Sequence, residues 1–196
     1  MSFLKCFIST FISYVVFNFI FMILFLATGG IPGANIGEVF STYAAADWAG
    51  FVTLIFQPGG RQGSFYLSLM DFGAALTGGS PMGPSLSTGA YVMGILWVIM
   101  PGLISAAIGG YKYSEGEIKI AYFSTLVAIL LANIVPLVIG AAGLLDPNLP
   151  DSLATATIGI IPLIYVQNMY IYSIMAGVVN GAVFGGTSAF IAESNY

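Results

Sequence analysis

Long apolar runs separated by short polar segments dominate the pattern along the chain. The runs without Asp, Glu, Lys or Arg are 6–37, 72–111, 120–145 and 152–192. A helix needs about 20 mostly apolar residues to cross the hydrocarbon core of a bilayer, and each of these runs is long enough. None of them sustains the apolar–polar alternation that is typical of a half-buried strand. The pattern therefore predicts an all-α integral membrane protein.

Glycine, proline and charged residues divide these runs into about four transmembrane helices. The predicted spans are 8–28, 89–110, 120–145 and 168–190. Ahead of the fourth span, residues 154–166 are predicted to form a short apolar helix, and a similar short helix is expected between the first two spans. Both are too short to cross a bilayer, so we expect them in the outer leaflet or at the interface.

Weak internal similarity favours a tandem duplication. The segment IMPGLISAAI at 99–108 aligns with IMAGVVNGAV at 174–183, and GFVTLIF at 50–56 resembles GIIPLIY at 159–165. Because the matches keep their order, the first repeat is predicted to be 1–111 and the second 120–196, joined by a loop at 112–119. Each repeat would start and end on the same side of the membrane, so the two would be related by an axis along the membrane normal.

The alignment leaves residues 58–91 of the first repeat without a counterpart in the second. This insertion contains Arg61 in a Pro-Gly-Gly turn. In one interpretation residues 48–77 form a re-entrant loop, and Arg61 lines a water-filled cavity. In the other they form an external hairpin on the membrane surface. The hairpin is favoured, because an arginine at the bilayer centre costs at least about 2.5 kcal/mol.

Charge distribution predicts the orientation. If the first three spans each cross once, Lys5, Lys112 and Lys119 share one side of the membrane. The acidic residues predicted on the other side, together with Arg61, are Glu38, Asp47, Asp71, Asp146 and Asp151. Basic residues favour the cytoplasmic side, so the N-terminus and the loop at 111–119 are predicted to be cytoplasmic. The loops at 29–88 and 146–153 are then external.

Polar residues within or beside the apolar runs are candidates for a transport pathway or for hydrogen bonds between helices. They are Asn18, Gln57, Arg61, Ser105, Asn133, Gln167 and Asn180. The repeat pairs Asn18 with Asn133 and Ser105 with Asn180, and such pairs would mark a pathway built from the repeat. Interhelical hydrogen bonding is the more economical interpretation, worth about 0.6 kcal/mol for each bond.

Small residues recur at intervals of four in two of the spans. The two series are Gly102, Ala106 and Gly110, and Gly177, Gly181 and Gly185. Such series allow helix backbones to approach closely. The sequence leaves open whether the close contact is within the chain or with another chain.

Composition excludes several function classes. Only 6% of the residues are charged, there is no histidine, and Cys6 is the only cysteine. A catalytic triad with histidine and a Cys- or His-based metal site are therefore excluded within this chain. The four basic residues are scattered and form no stripe for nucleic acid. We expect no enzyme activity and no cofactor, with the lipid bilayer as one partner.

Three non-enzymatic functions remain. The first is a subunit of a larger membrane assembly, which packs against other membrane subunits or copies of itself. The second is a small channel or transporter built from the parallel repeat. The third is a structural envelope or scaffold protein. The sequence favours the first, because no extramembrane domain and no intramembrane carboxylate is visible for coupled transport.

Overall fold

The computed structural model describes residues 2–29, 36–41, 88–141 and 161–194, which are helical apart from turns and contain no strand. The helices are α1 (Ser2–Ala27), α2 (Ile36–Val39), α3 (Thr88–Ile108), α4 (Ile118–Ala141) and α5 (Ile161–Ser194). A five-residue π-helix, Gly109–Tyr113, continues α3. The predicted all-α class is confirmed for the described part of the chain.

Three segments in the described residues are long and apolar enough to cross a membrane, namely Ser2–Ala27, Val92–Tyr113 and Ile118–Val135. Their most apolar windows have mean hydropathies of 2.3, 2.0 and 2.0. These segments correspond to the first three predicted spans, so the protein is an integral membrane protein. The fourth predicted span, 168–190, lies within α5 and stays a prediction.

Helix α5 is longer than one crossing requires. Its 34 residues extend over about 51 Å, against about 30 Å for the hydrocarbon core. Residues 161–166 of the predicted short helix continue into the predicted span without a break at residue 167, whereas 154–160 lie outside the described residues. The reason for the continuity is local. Pro162 falls in the first helical turn, where a missing N–H is harmless, and no proline follows it in α5.

The polar connection between α3 and α4 is tighter than the predicted loop at 111–119. The π-helix extends to Tyr113, and only 114–117 form the turn. Glu115 and Gly116 adopt positive φ values of 56° and 79°, which reverses the chain. The amide of Glu117 then donates to the carbonyl of Ser114 at 3.1 Å, and α4 begins at residue 118.

The long helices alternate in direction. The Cys6 thiol donates to the carbonyl of Gly109 at 3.4 Å and accepts from the Ser124 hydroxyl at 2.9 Å, while Gly110 lies against Ser188. The start of α1, the end of α3, the start of α4 and the end of α5 therefore meet at one end of the bundle. We call it the lysine end, because it carries Lys5, Lys112 and Lys119.

The long helices form a ring in the order α1, α3, α5, α4. The most extensive contact is between α4 and α5, followed by α1 with α3 and α1 with α4, while α3 and α5 make a smaller contact. Helices α3 and α4 barely touch, because they lie on a diagonal of the ring. This order of neighbours can arise with or without a duplication of 1–111 in 120–196, which therefore stays a prediction.

The end of the ring opposite the lysine end, which we call the apolar end, has a core made mostly of large apolar side chains. This core consists of Met22, Phe25, Leu26, Ala90 and Trp97. The rings of Phe25 and Trp97 pack with their centroids 5.5 Å apart. A second cluster lies nearer the middle of the bundle and contains Tyr14, Ala106, Ile129, Ala132 and Phe184.

Candidate functional site

Three of the predicted polar candidates are buried inside the bundle and bond to their own helices. The side chains of Asn18, Ser105 and Asn133 each donate to the carbonyl four residues earlier, at 2.7, 2.7 and 2.6 Å respectively. In this pattern, one donor of each side chain is satisfied within its own helix. Asn133 Oδ1 is fully buried and accepts no hydrogen bond within the described part of the chain.

The remaining polar candidates are placed less centrally or lie outside the described residues. Asn180 is half-buried on one flank of α5. Gln167 belongs to the described backbone of α5, but its side chain does not belong to the described structure. Gln57 and Arg61 lie outside the described residues, as do both interpretations of 48–77. Of the seven predicted residues, the described structure therefore buries Asn18, Ser105 and Asn133 in the bundle, and a pathway through them stays a prediction.

The glycine series of α5 faces α4. A Cβ added at Gly177 would lie 2.9 Å from Leu130 Cδ1. At Gly181 and Gly185 it would lie 3.0 Å from the backbone carbonyl oxygens of Leu126 and Tyr122, respectively. Because these oxygens belong to the backbone of α4, they cannot move aside as a flexible side chain would. The close approach of α4 and α5 therefore depends on the absence of a side chain at Gly181 and Gly185.

The other series of small residues packs inside the bundle as well. Gly102 lies beneath the ring of Phe184, and Gly110 lies against the backbone carbonyl of Ser188. Ala106 is fully buried in the central cluster. In the described structure, both series therefore make close contacts between helices of the same chain.

A cluster of polar side chains that the sequence analysis did not single out lies inside the lysine end. We call it the polar cluster, and it consists of Cys6, Thr10, Ser124, Thr125 and Ser188. Each of these side chains has 0% exposure, and together they come from α1, α4 and α5. They surround the Gly109–Gly110 pair of the π-helix, so all four long helices contribute to this region.

Because Gly109 has no side chain, the side chains of the polar cluster have room to pack against it. A Cβ at this position would collide with Thr10 Oγ1, and it would lie 3.4 Å from Cys6 Sγ and 3.6 Å from Thr125 Oγ1. Three polar atoms from two helices therefore converge on one point above the glycine. The neighbouring carbonyl of Gly110 accepts a 2.5 Å hydrogen bond from Ser114 Oγ. A π-helix of this kind is frequent where a helix serves a function.

Several oxygens of the polar cluster have no hydrogen-bond partner within the described residues. These are Thr10 Oγ1, Thr125 Oγ1 and Ser188 Oγ. All are neutral, and no group of three His, Cys, Asp or Glu residues in the described structure could hold a metal ion. Neutral hydroxyls can bond helices together or hold water, but they supply neither a strong base nor a metal ligand set.

One sequence signal would have revealed part of the cluster. In α1, polar or hydrogen-bonding residues recur every four positions at Cys6, Thr10, Tyr14 and Asn18, and all four are buried. Taken by itself, Cys6 resembles a small hydrophobic residue. The four-residue spacing of Cys6, Thr10, Tyr14 and Asn18 identifies the face of α1 that points into the bundle.

A groove lies on the outside of the lysine end, between α1 and the end of the π-helix. We call it the Lys5 groove, and it is lined by Lys5, Ile8, Ser9, Ile12, Ser13 and Tyr113. Its volume is about 410 Å³. The ammonium group of Lys112 lies 5.6 Å from the centroid of the Tyr113 ring, so a second cation stands beside the groove.

The described geometry defines a class of protein, a helical-bundle integral membrane protein with a polar interior at one end. No protein-family model, curated protein or solved structure matches the chain.

Proposed function

We propose that this protein is a non-enzymatic subunit of a larger membrane assembly, and that the outer face of α5 packs against a helix of another chain. The observation that carries the proposal is Gly186. A Cβ added there would meet no atom within 4 Å, although the three glycines of the α5 series all face α4. Gly186 is thus an exposed glycine on the side of α5 that the bundle leaves uncovered.

The surroundings of Gly186 form a notch. Val183 and Phe190 are 59% and 70% exposed, and Ala182 precedes the glycine by one helical turn. Apolar burial alone drives little association in lipid, because the lipid chains are equally apolar. Close backbone contact at small residues therefore contributes much of the attraction between membrane helices. A helix from a partner chain would fit this notch.

Further support comes from Asn180, which is half-buried and forms no hydrogen bond in the described part of the chain. A polar amide at the edge of a membrane bundle gains when a neighbouring helix offers a partner. The partner is another membrane subunit or a second copy of this chain. The N-terminus and the turn at 114–117 are proposed to be cytoplasmic, following the three lysines.

Native mass spectrometry of the complex purified in mild detergent tests this function. The wild-type protein should carry other polypeptides or further copies in a fixed ratio, and Gly186→Leu should release them because the notch is filled. Gly89→Leu is the matched control, since Gly89 is also exposed and lies in the first turn of α3. A wild-type protein that is always a lone monomer would contradict the proposal, as would equal loss of partners in both variants.

The polar cluster favours a second candidate, a channel or transporter for a small neutral solute. Three buried hydroxyls without partners offer hydrogen bonds to such a solute or to water. Osmotic water flux into proteoliposomes, followed by light scattering, tests this candidate. We expect flux above that of protein-free liposomes and a reduction by Thr125→Val. Flux equal to that of protein-free liposomes would count against it.

A further inference from the structure

We propose that the Lys5 groove binds one anionic glycerophospholipid, with its phosphate beside Lys5 and Lys112 and an acyl chain along Ile8 and Ile12. This site goes beyond the proposed assembly function, because it lies on α1 and the π-helix and uses no residue of α5. Three independent features of the groove match the three chemical zones of such a lipid.

The first feature is unopposed positive charge at the rim. Lys5 lines the groove, and Lys112 stands over the ring of Tyr113, which also lines it. No salt bridge engages either lysine within the described residues, and none of the residues that line the groove is acidic. Glu115 and Glu117 belong to the turn beyond it. An anionic phosphate therefore complements this rim.

The second feature is a pair of hydroxyls deeper in the groove. Ser9 and Ser13 lie one and two helical turns beyond Lys5, which places them about 6 and 12 Å further along α1. Neither forms a hydrogen bond in the described part of the chain. In a glycerophospholipid, the ester groups follow the phosphate toward the membrane interior, so the hydroxyls would meet these oxygens.

The third feature is apolar. Ile8 and Ile12 are 44% and 55% exposed and lie beside the serines. They offer a surface to an acyl chain on the same side of α1. A free phosphate ion would use only the rim, and a zwitterionic lipid would carry a compensating positive charge. The combination of a cationic rim, hydroxyls and an apolar wall therefore selects an anionic lipid.

The test measures lipid retention and thermal stabilisation of the full chain in detergent. Dioleoyl phosphatidylglycerol, dioleoyl phosphatidylcholine and soluble glycerol phosphate are added separately. We expect one phosphatidylglycerol to be retained in native mass spectra and to raise the thermal midpoint more than phosphatidylcholine does. Lys5→Gln should weaken its apparent affinity about fivefold, the size expected for one lysine near an anionic lipid.

Lys119→Gln is the matched control, because Lys119 lies at the same end but does not line the groove. A combined Ser9→Ala and Ser13→Ala variant should also lower the affinity, which separates a lipid from a headgroup bound at the rim alone. Equal stabilisation by both lipids would overturn the proposal. So would equal weakening by Lys5→Gln and Lys119→Gln, or full stabilisation by glycerol phosphate. Both lysines are exposed, so the lipid-free thermal midpoints should stay at the wild-type value.

Discussion

The two ends of the bundle are held together by different kinds of contact. At the apolar end, Met22, Phe25 and Trp97 fill the space between α1 and α3 with large side chains. At the lysine end, glycines, hydroxyls and one thiol fill the interior, and the helices approach with Gly110 and Gly185 against neighbouring backbone carbonyls. The same helices therefore change from side-chain packing to backbone packing along their length.

The difference shows how a membrane bundle is stabilised where hydrophobic burial contributes little. Moving an apolar side chain from lipid into the bundle gains little transfer free energy. The stability of the helix packing must therefore come from dispersion, close fit or hydrogen bonds. The apolar end relies on dispersion between large groups, and the lysine end relies on close approach and polar contacts. Mutations that add volume should therefore damage the lysine end, whereas mutations that remove volume should damage the apolar end.

The largest effect is expected from added volume at Gly185. Gly185→Leu should lower the free energy of unfolding by about 3 kcal/mol, because its Cβ already meets the Tyr122 carbonyl oxygen at 3.0 Å. Unfolding in mixed micelles with increasing dodecyl sulfate gives this value. Gly186→Leu is the adjacent control and should leave it nearly unchanged, since the added Cβ meets no atom within 4 Å. Equal losses in the two variants would remove the distinction between the packed and open sides of α5.

Removing volume from the apolar end should have the next largest effect. Met22→Ala should cost about 2 kcal/mol, because Met22 has 0% exposure and its loss leaves a cavity between α1 and α3. This loss lies at the low end for a core truncation, because the Met22 side chain leaves lipid and not water when the protein folds. Leu24→Ala, at a 40% exposed site on the same helix, should cost much less in the same titration. If Leu24→Ala proves as damaging, α1 packs in a different orientation.

The smallest effects should separate two adjacent residues of the polar cluster. Ser124→Ala removes the hydrogen bond to Cys6 Sγ and should lower the free energy of unfolding by about 0.6 kcal/mol. Thr125→Val removes a hydroxyl that has no partner in the described structure, so it should be neutral or slightly stabilising. A loss for Ser124→Ala without a loss for Thr125→Val in the same assay supports the described hydrogen bonds. Similar losses for both would show that the Thr125 hydroxyl is also bonded.

The sequence predicted the first three helical spans, because a long apolar run without strand alternation satisfies its backbone hydrogen bonds inside a membrane only as a helix. The first predicted span, 8–28, lies close to α1, and 89–110 lies close to α3. The π-helix was not predicted, since Gly-Gly before YKY reads as the end of a helix. The continuity of α5 through residue 167 was also missed, because the repeat pattern suggested a break there.

The interior polar residues were predicted only in part. Asn18, Ser105 and Asn133 stand out in apolar runs, but their donors bond to their own helices. The residues of the polar cluster were missed, because Ser and Thr are ordinary in membrane helices and only the tertiary contact unites them. A position such as Thr10 becomes informative once Gly109, far away in the sequence, is known to face it.

The ring order has a consequence for how the protein is made. The two most extensive contacts join helices that follow one another among the long helices, α1 with α3 and α4 with α5. Each pair can therefore form as a hairpin soon after its second helix leaves the ribosome and enters the membrane. Joining the hairpins then brings Ser124 to Cys6, a contact between residues 118 positions apart. We therefore expect the contacts of the polar cluster between α1 and α4 to form last as the protein inserts into the membrane.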